Sequence, residues 1–534
     1  MEKANRLTSF YNRIGITDRS VGRWFWTAFS FLAVYLSLVV YAQNVNRGYD
    51  FKIITLISLV LAVIVCFLGV YLLGGISIKI VVRDKRAKAL IFALCVFLAT
   101  FSVLYFWQSV LYPGSFSPDS IEQYKQTQLG EYNDWHPVLH TWLFFGLPNV
   151  FSSSPALLVT FQLVWFSLAV AYLFYVLYTD GCPKIFIALS WAYITLNPNT
   201  ACIMLYPWKD SAFTIMSTVM LAHCVRIYRS NGKWLLKWSN TLSFALFAFL
   251  ANGVRHNAIL LVVPTFIVIF VFFKQSRKRI LIAASIFLIL TLLLKFPIYS
   301  AAEVGSPKHR TTEVMGLPMT VLADVYMNDR DALDEEAIEF LDSLATQENW
   351  KKYYRFGSFN SFKWSDGTIY DKIDQEGAVN ILKYTFKAAV NSPAVAKRSV
   401  IELTKMVWSF DGGSGWTIGY GISSNEFDIA KDYDEESKLL IDAYRGLANG
   451  YLTKYLFNYT GAVILALLFL AVSRIATAGL AKVFSIIPLL IYNFGTMLLL
   501  TGHDFRFFHL NFVAVIPLIY IMLTKKECSG EYSA

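Results

Sequence analysis

Residues 83–122 read RDKRAKALIFALCVFLATFSVLYFWQSVLYPGSFSPDSIE. The stretch opens on four cations, Arg83, Lys85, Arg86 and Lys88, and runs apolar from Ala89 to Leu111. It then turns polar around two carboxylates, Asp119 and Glu122. An apolar run of about 20 residues is what the hydrocarbon core of a bilayer requires of a helix. Cations before such a run mark the end that stays in the cytoplasm. The stretch therefore predicts a membrane-spanning helix that delivers Asp119 to the far side.

The same alternation recurs along all 534 residues, of which 56% are hydrophobic and only 16% charged. That balance excludes a disordered chain and fits poorly with an ordinary soluble domain. Twelve helices are expected, near 24–42, 53–73, 89–111, 155–178, 184–204, 211–228, 239–252, 257–273, 280–298, 453–473, 480–500 and 510–524. The first reads as an uncleaved signal-anchor, because no small-residue cleavage site follows a short apolar core. The net charge of +10 is not a nucleic-acid signature, since the excess sits in short loops between apolar runs. Residues 1–23, 74–88, 226–237 and 274–279, with Lys184, Arg474, Lys482, Lys525 and Lys526, hold 23 cations. The opposite short loops hold six, Arg47, Lys52, Lys125, Lys209, Arg255 and Arg506. This asymmetry puts both termini in the cytoplasm. It also makes 138–151 an interfacial helix, because a span there would invert every later loop.

The expected fold class is therefore an all-α multi-pass membrane protein. Residues 1–88 form a cytoplasmic tail and two membrane helices. Residues 89–298 form a transmembrane core with an outer loop at 112–154. Residues 299–452 form an α-rich extracytoplasmic domain, with an amphipathic stretch at 387–410 placed against the membrane and a glycine-rich run from Gly412 to Gly421. Residues 453–534 return to membrane helices and a short cytoplasmic tail. The six cysteines lie in or beside the helices or near the C-terminus, so they offer neither a disulfide framework nor a CxxC zinc site.

Six of the seven histidines, all but His223, fall on the outer side. Ionisable groups gather there from five loops. Burying such groups at a membrane edge is costly, which makes them candidates for function. In Ser117-Pro118-Asp119-Ser120-Ile121-Glu122, serine before proline is a helix start. Asp119 then lies in the first turn, either as a general base toward a hydroxyl or as a helix-stabilising charge. In Asn133-Asp134-Trp135-His136-Pro137, Asp134 is a natural N-cap, and His136 and His140 share a helix face. That spacing permits a metal, but no HExxH pattern completes it, and an interfacial aromatic and histidine belt is the alternative. Lys209 in Tyr206-Pro207-Trp208-Lys209-Asp210 suits phosphate. It also suits an interface anchor, with Asp210 as the next N-cap. Asn252-Gly253-Val254-Arg255-His256-Asn257 breaks an apolar run, and such backbone is tolerated where it lines a cavity. Arg506 in Gly502-His503-Asp504-Phe505-Arg506 sits among rings, able to clamp phosphate or to snorkel to the interface. His309-Arg310 adds a further outer pair.

Taken together, SPDS at 117–120, WHP at 135–137, WKD at 208–210, RHN at 255–257 and HDFRFFH at 503–509 resemble bacterial membrane glycosyltransferases of the GT-C superfamily. Among these the chain is similar to the O-antigen-modifying glucosyltransferases. The resemblance covers roughly residues 90–525, in the order of the motifs. It implies a GT-C-like helical bundle in the bacterial inner membrane. It implies a polyprenyl-phosphate-linked sugar as donor, a hexose such as glucose, and an envelope glycan such as O-antigen as acceptor. Asp119 matches the acidic residue of the family's first outer loop. Lys209, Arg255 and Arg506 match cations facing the donor phosphate. Glu122, Asp134, Trp135, His136, His140, Asp210, His256, Arg310 and Asp504 are expected to line the substrate site. Asp119 is followed by Ser120 rather than a second acid, which departs from the family's paired-acid signature and leaves a divalent metal an open question. Two other classes compete: a transporter or flippase of a lipid-linked sugar, and a membrane acyl- or phosphotransferase using a histidine as base.

Overall fold

The computed structural model describes residues 19–46, 53–74, 76–78, 86–307, 310–363, 365, 370–410 and 419–524. Among these the chain is helical without a strand, and only isolated bridges such as Phe116 with Ile422 and Asn133 with Gly305 pair extended backbone. Eight segments are long and apolar enough to cross a membrane: Trp26–Asn44, Leu56–Gly74, Ala87–Val110, Pro155–Thr179, Lys209–Arg229, Lys274–Ala301, Leu480–Leu499 and Phe505–Leu523. Three shorter apolar helices, Lys184–Thr195, His256–Phe272 and Thr460–Ser473, fall below that length. The chain is thus an all-α protein of membrane-spanning character.

The bundle begins with α1 (Arg19–Asn46), α2 (Ile53–Gly74) and α3 (Arg86–Val110), followed by α4 (Pro118–Leu129), α5 (Pro155–Thr179), α6 (Lys184–Thr195), α7 (Pro198–Met204) and α8 (Lys209–Arg229). The run expected as one helix over 184–204 is two. Pro198 has no amide hydrogen and disfavours helix before it, and Asn197 caps the restart by accepting from the Asn199 amide (2.9 Å). Helix α8 is the axis of the bundle. It is buried from Asp210 to Tyr228 apart from Arg226, and α5 and the last helix pack against it. Its hydroxyls turn inward onto its own carbonyls, Thr214 onto Asp210 (3.0 Å) and Thr218 onto Thr214 (2.7 Å). This satisfies polar groups in a dry interior.

Next come α9 (Trp238–Gly253), α10 (Ile259–Phe272) and α11 (Arg277–Leu293). At 16 residues α9 is shorter than a straight crossing. The chain then leaves the bundle as α12 (Gly316–Asn328), α13 (Glu335–Leu344), α14 (Tyr370–Asn391) and α15 (Pro393–Trp408). Helices α12 to α14 bury a core of their own around Met319, Leu322, Phe340, Leu341, Trp350 and Phe362, in which Trp350 stacks on Phe362 at 3.8 Å. The amphipathic stretch expected to lie on the membrane divides at Ser392. Its second part, α15, buries Leu403, Met406 and Val407 against Ile464, Met497 and Phe508 of the bundle. Of the glycine-rich run, Gly412, Gly413 and Gly415 lie outside the described residues.

Helix α16 (Glu435–Gly446) returns the chain to the bundle, where Tyr444 stacks on Trp107 at 4.3 Å. The run expected over 453–473 breaks at Asn458, leaving α17 (Thr460–Ser473). Then follow α18 (Ile487–Leu499) and α19 (Leu510–Leu523). The helical stretch 138–149 is short and half-buried, with Val138, His140, Phe144 and Phe145 inside and Val150 and Phe151 exposed just beyond it.

Candidate functional site

The site forms where α4, α8, the Val254–Asn257 turn and the Gly502–Phe508 loop meet at one end of the bundle. Ser117 caps α4 by accepting from the Ser120 amide (3.3 Å), and it also accepts from Trp208 Nε1 (2.6 Å). The cap is therefore taken, and the Asp119 carboxylate is turned elsewhere. It accepts from Arg506 Nη1 at 2.8 Å. Arg506 Nε lies 2.8 Å from Asp504 Oδ2 and 4.0 Å from Asp210 Oδ2. The guanidinium is packed between the Trp208 and Phe507 rings, 5.1 and 4.9 Å from their centroids. Asp504 also holds the loop in shape, accepting from the Arg506 amide (3.1 Å).

Behind this pair Arg255 forms an ion pair with Asp210, and their side chains are 3% and 1% exposed. Arg255 Nε donates to Asn257 Oδ1 (2.6 Å), and the Phe213, Tyr492 and Phe507 rings box the guanidinium. Arg255 was expected to face a donor phosphate. In the structure its Nε and Nη1 instead engage Asn257 and Asp210, and three rings pack around the guanidinium. Arg506, at 20% exposure beside Asp119 at 29%, is the arginine at the open edge.

Lys209 lies beside them and donates to His136 Nδ1 (3.0 Å), which fixes that nitrogen as the acceptor. The buried His140 donates from Nδ1 to Gln123 Oε1 (2.6 Å) and stacks on Phe144. Lys209 and Gln123 thus engage the Nδ1 atoms of the two rings, and the buried Nε2 of His140 has no hydrogen-bond partner. Among the described residues no three His, Cys, Asp or Glu side chains converge as ligands. Burial, and then Lys209, push both histidines down, His136 well below its ordinary value and His140 to about 3. Burial pushes Asp119 up, but Arg506 and Lys209 outweigh it and hold the carboxyl well below the usual carboxylate range. At neutral pH Asp119 is therefore an ionised acceptor beside two cations and two neutral imidazoles.

The remaining expected residues make contacts of their own. Asp134 is engaged by Lys295 Nζ (2.5 Å) and the Tyr299 hydroxyl (3.1 Å), and its backbone carbonyl bonds His256 Nε2 (3.1 Å). Asp134 and Lys295 line a separate open cleft of about 920 Å³. Trp135 is half-buried, its amide donating to Asn133 Oδ1 (3.1 Å). Glu122 is exposed and accepts from Gln126 (3.3 Å), so it belongs to the surface of α4 rather than to the Arg506 cluster. The Arg310 side chain and His309 lie outside the described residues.

Three residues of the site escaped the sequence reading. Gln123 joins α4 to the 138–149 stretch, accepting from His140 and Thr141 (3.2 Å) while donating to the Asp119 carbonyl (3.2 Å). Gln162 holds the 204–208 turn by donating to the carbonyls of Met204 (2.8 Å) and Tyr206 (2.6 Å). Tyr492 walls in Arg255 and donates to the Phe507 carbonyl (2.6 Å). The spacing of Gln123 one turn beyond Asp119 was a usable signal. The other two sit inside apolar helices with nothing local to mark them. No protein-family model, curated protein or solved structure matches the chain, so a functional reading rests on this arrangement of side chains.

Proposed function

We propose that the chain is a membrane glycosyltransferase of GT-C type, with both termini in the cytoplasm, about twelve membrane helices and its site on the outer face of the bacterial inner membrane. It moves a hexose from a polyprenyl-phosphate donor to an envelope glycan such as O-antigen. The observation that carries this reading is the Asp119–Arg506 pair at 2.8 Å, half-open at the bundle's edge with Lys209 alongside. It joins a proton acceptor to an anion clamp where a lipid-tethered substrate enters from the side.

In this mechanism the donor phosphate competes with Asp119 for Arg506, whose planar fork holds two oxygens at once. As Arg506 turns to phosphate, Asp119 loses its strongest stabilising partner and becomes more basic. The acceptor hydroxyl passes its proton to Asp119 as its oxygen bonds the anomeric carbon from the face opposite the phosphate. The bond from that carbon to the phosphate oxygen breaks, and the electron pair leaves with the phosphate. Arg506 and Lys209 stabilise that growing charge more in the transition state than before it. Arg255 and Asp210 position Arg506 from behind, and the product is inverted at the anomeric centre.

The test is transfer of radiolabel from polyprenyl-phosphate [¹⁴C]glucose to lipopolysaccharide by the purified protein in liposomes. Label in the glycan, lost in Asp119→Asn, supports the reading. Labelled lipid that crosses the bilayer without transfer points instead to a flippase. Between Asp210 and Arg226 α8 carries no Asp, Glu, Lys or Arg, and its Thr214 and Thr218 hydroxyls are satisfied by its own carbonyls, which favours the transferase reading over a mid-membrane transport site.

A further inference from the structure

Far from the site, α5, α8 and α9 enclose a cleft of about 250 Å³ lined by Trp165, Leu168, Tyr172, Met216, His223 and Phe247, among others. Leu168 is 46% exposed, so the cleft opens on the lipid-facing flank of the bundle. His223 lies fourteen positions after Lys209 on α8, a rise of about 20 Å along the helix. The two places are therefore separate.

The cleft is lined mainly by rings and aliphatic side chains, with the His223 imidazole and the Ser243 hydroxyl among them. His223 is 2% exposed and ringed by Tyr172, Trp234, Phe244 and Phe247, with centroids 5.1 to 6.4 Å away. Its Nε2 lies 3.3 Å from the Ser243 hydroxyl, and its Nδ1 has no hydrogen-bond partner. In the tautomer that lets the partly buried Ser243 hydroxyl donate to this ring, Nε2 is the acceptor. The proton then sits on Nδ1, which is a donor without an acceptor. Such a group is costly in a low-dielectric interior.

Arg226 lies one turn beyond His223 on the same helix face, where Cβ atoms are about 5–6 Å apart. It is half-exposed and donates to the Thr179 hydroxyl. The nearby Asp180 carboxylate is engaged instead by Arg229 (2.6 Å) and the Tyr520 hydroxyl (2.7 Å). The order is thus a cation one turn beyond the cleft, the His223 imidazole at its wall, and then rings and aliphatic side chains. A glycerophospholipid presents its groups in the same order, phosphate, ester carbonyl and acyl chain. The cleft is smaller than a typical pocket for a whole small molecule, which suits one ester and the start of a chain.

We propose that this cleft is a binding site for an anionic glycerophospholipid. Its phosphate rests on Arg226, one ester carbonyl accepts from His223 Nδ1, and the acyl chain runs between Trp165 and Met216. The proposal is independent of glycosyl transfer.

The experiment is native mass spectrometry of the delipidated full chain, titrated with phosphatidylglycerol and with phosphatidylcholine of matched chains. One phosphatidylglycerol is expected to bind at least tenfold more tightly than phosphatidylcholine. His223→Phe and the cavity-filling Met216→Trp should each remove that adduct, and Arg226→Gln should erase the preference between headgroups. In the wild type, phosphatidylglycerol with a diazirine on its acyl chain should crosslink to peptides covering 165–172 and 215–223. Equal binding of the two lipids, adducts unchanged in Met216→Trp, or crosslinks confined to other helices would overturn the proposal. The crosslinking needs no variant, so it decides the matter even where His223→Phe does not fold.

Discussion

Asp119 and Arg506 stand 387 positions apart in the chain and 2.8 Å apart in space. Each is partly exposed, at 29% and 20%, so the pair is open to exchange with an incoming anion. Asp119→Asn is expected to fold and to lose about 10²–10⁴-fold in transfer rate, the usual cost of a missing general base. Arg506→Lys is expected to impair transfer although charge is kept, because lysine cannot hold two phosphate oxygens in one plane. Contacting residues are not additive, so the double variant should be less impaired than the product of the two single losses. Full activity in Asp119→Asn would reduce the residue to an electrostatic partner of Arg506.

The Asp210–Arg255 pair behaves differently because it is sealed. Taking one partner from a buried pair leaves an uncompensated charge and costs about 3–5 kcal/mol. Arg255→Met should therefore lower the thermal midpoint in detergent sharply, before any question of catalysis arises. Asp210→Leu combined with Arg255→Met should recover much of that loss. A single variant as stable as the wild type would mean that Arg255 is not committed to Asp210.

Acid should weaken the fold through His140. In the unfolded chain this imidazole takes a proton at its ordinary 6.5, whereas in the folded protein it does so only at about 3. Below 6.5 the unfolded state binds more protons, so stability falls as pH drops from 6.5 and levels off near 3. At pH 5 the loss from this residue is about 2 kcal/mol, at 1.36 kcal/mol per unit. His140→Asn keeps a donor toward Gln123 without a titrating group. Thermal midpoints at pH 7 and pH 5 should show a smaller drop in this variant, and an equal drop would assign the acid sensitivity elsewhere.

Topology is open to direct measurement. In a background without the six native cysteines, Glu131→Cys and Lys351→Cys should react with an impermeant maleimide in intact spheroplasts. Lys233→Cys should react only after permeabilisation. All three positions are exposed, whereas Ser120, in the same loop as Glu131, is fully buried and would not report on sidedness. The reverse pattern of labelling would invert the proposed orientation.

Much of the helical framework was legible because bilayer thickness imposes a length that composition alone reveals. The run from Ala89 to Val110 falls within α3, and Ser117-Pro118 begins α4 as the sequence indicates. Helix continuity was less legible. The interruptions at Asn197 and Asn458 fall inside apolar runs, where average hydropathy hides a local change in backbone hydrogen bonding.

By itself the sequence determined that the chain is a bundle of apolar helices, and that Asp119, Lys209, Arg255 and Arg506 stand at the ends of those helices or in the loops between them. Only the tertiary structure decided their partners. Arg255 and Arg506 look alike in sequence, each a lone arginine in a short polar break. One is shut behind rings from α8, α18 and the 505–508 turn, and the other faces the open edge. The physical reason is that a guanidinium's role depends on which carboxylate reaches it and which rings exclude water from it. Those neighbours come from segments hundreds of residues away, brought together by packing around α8.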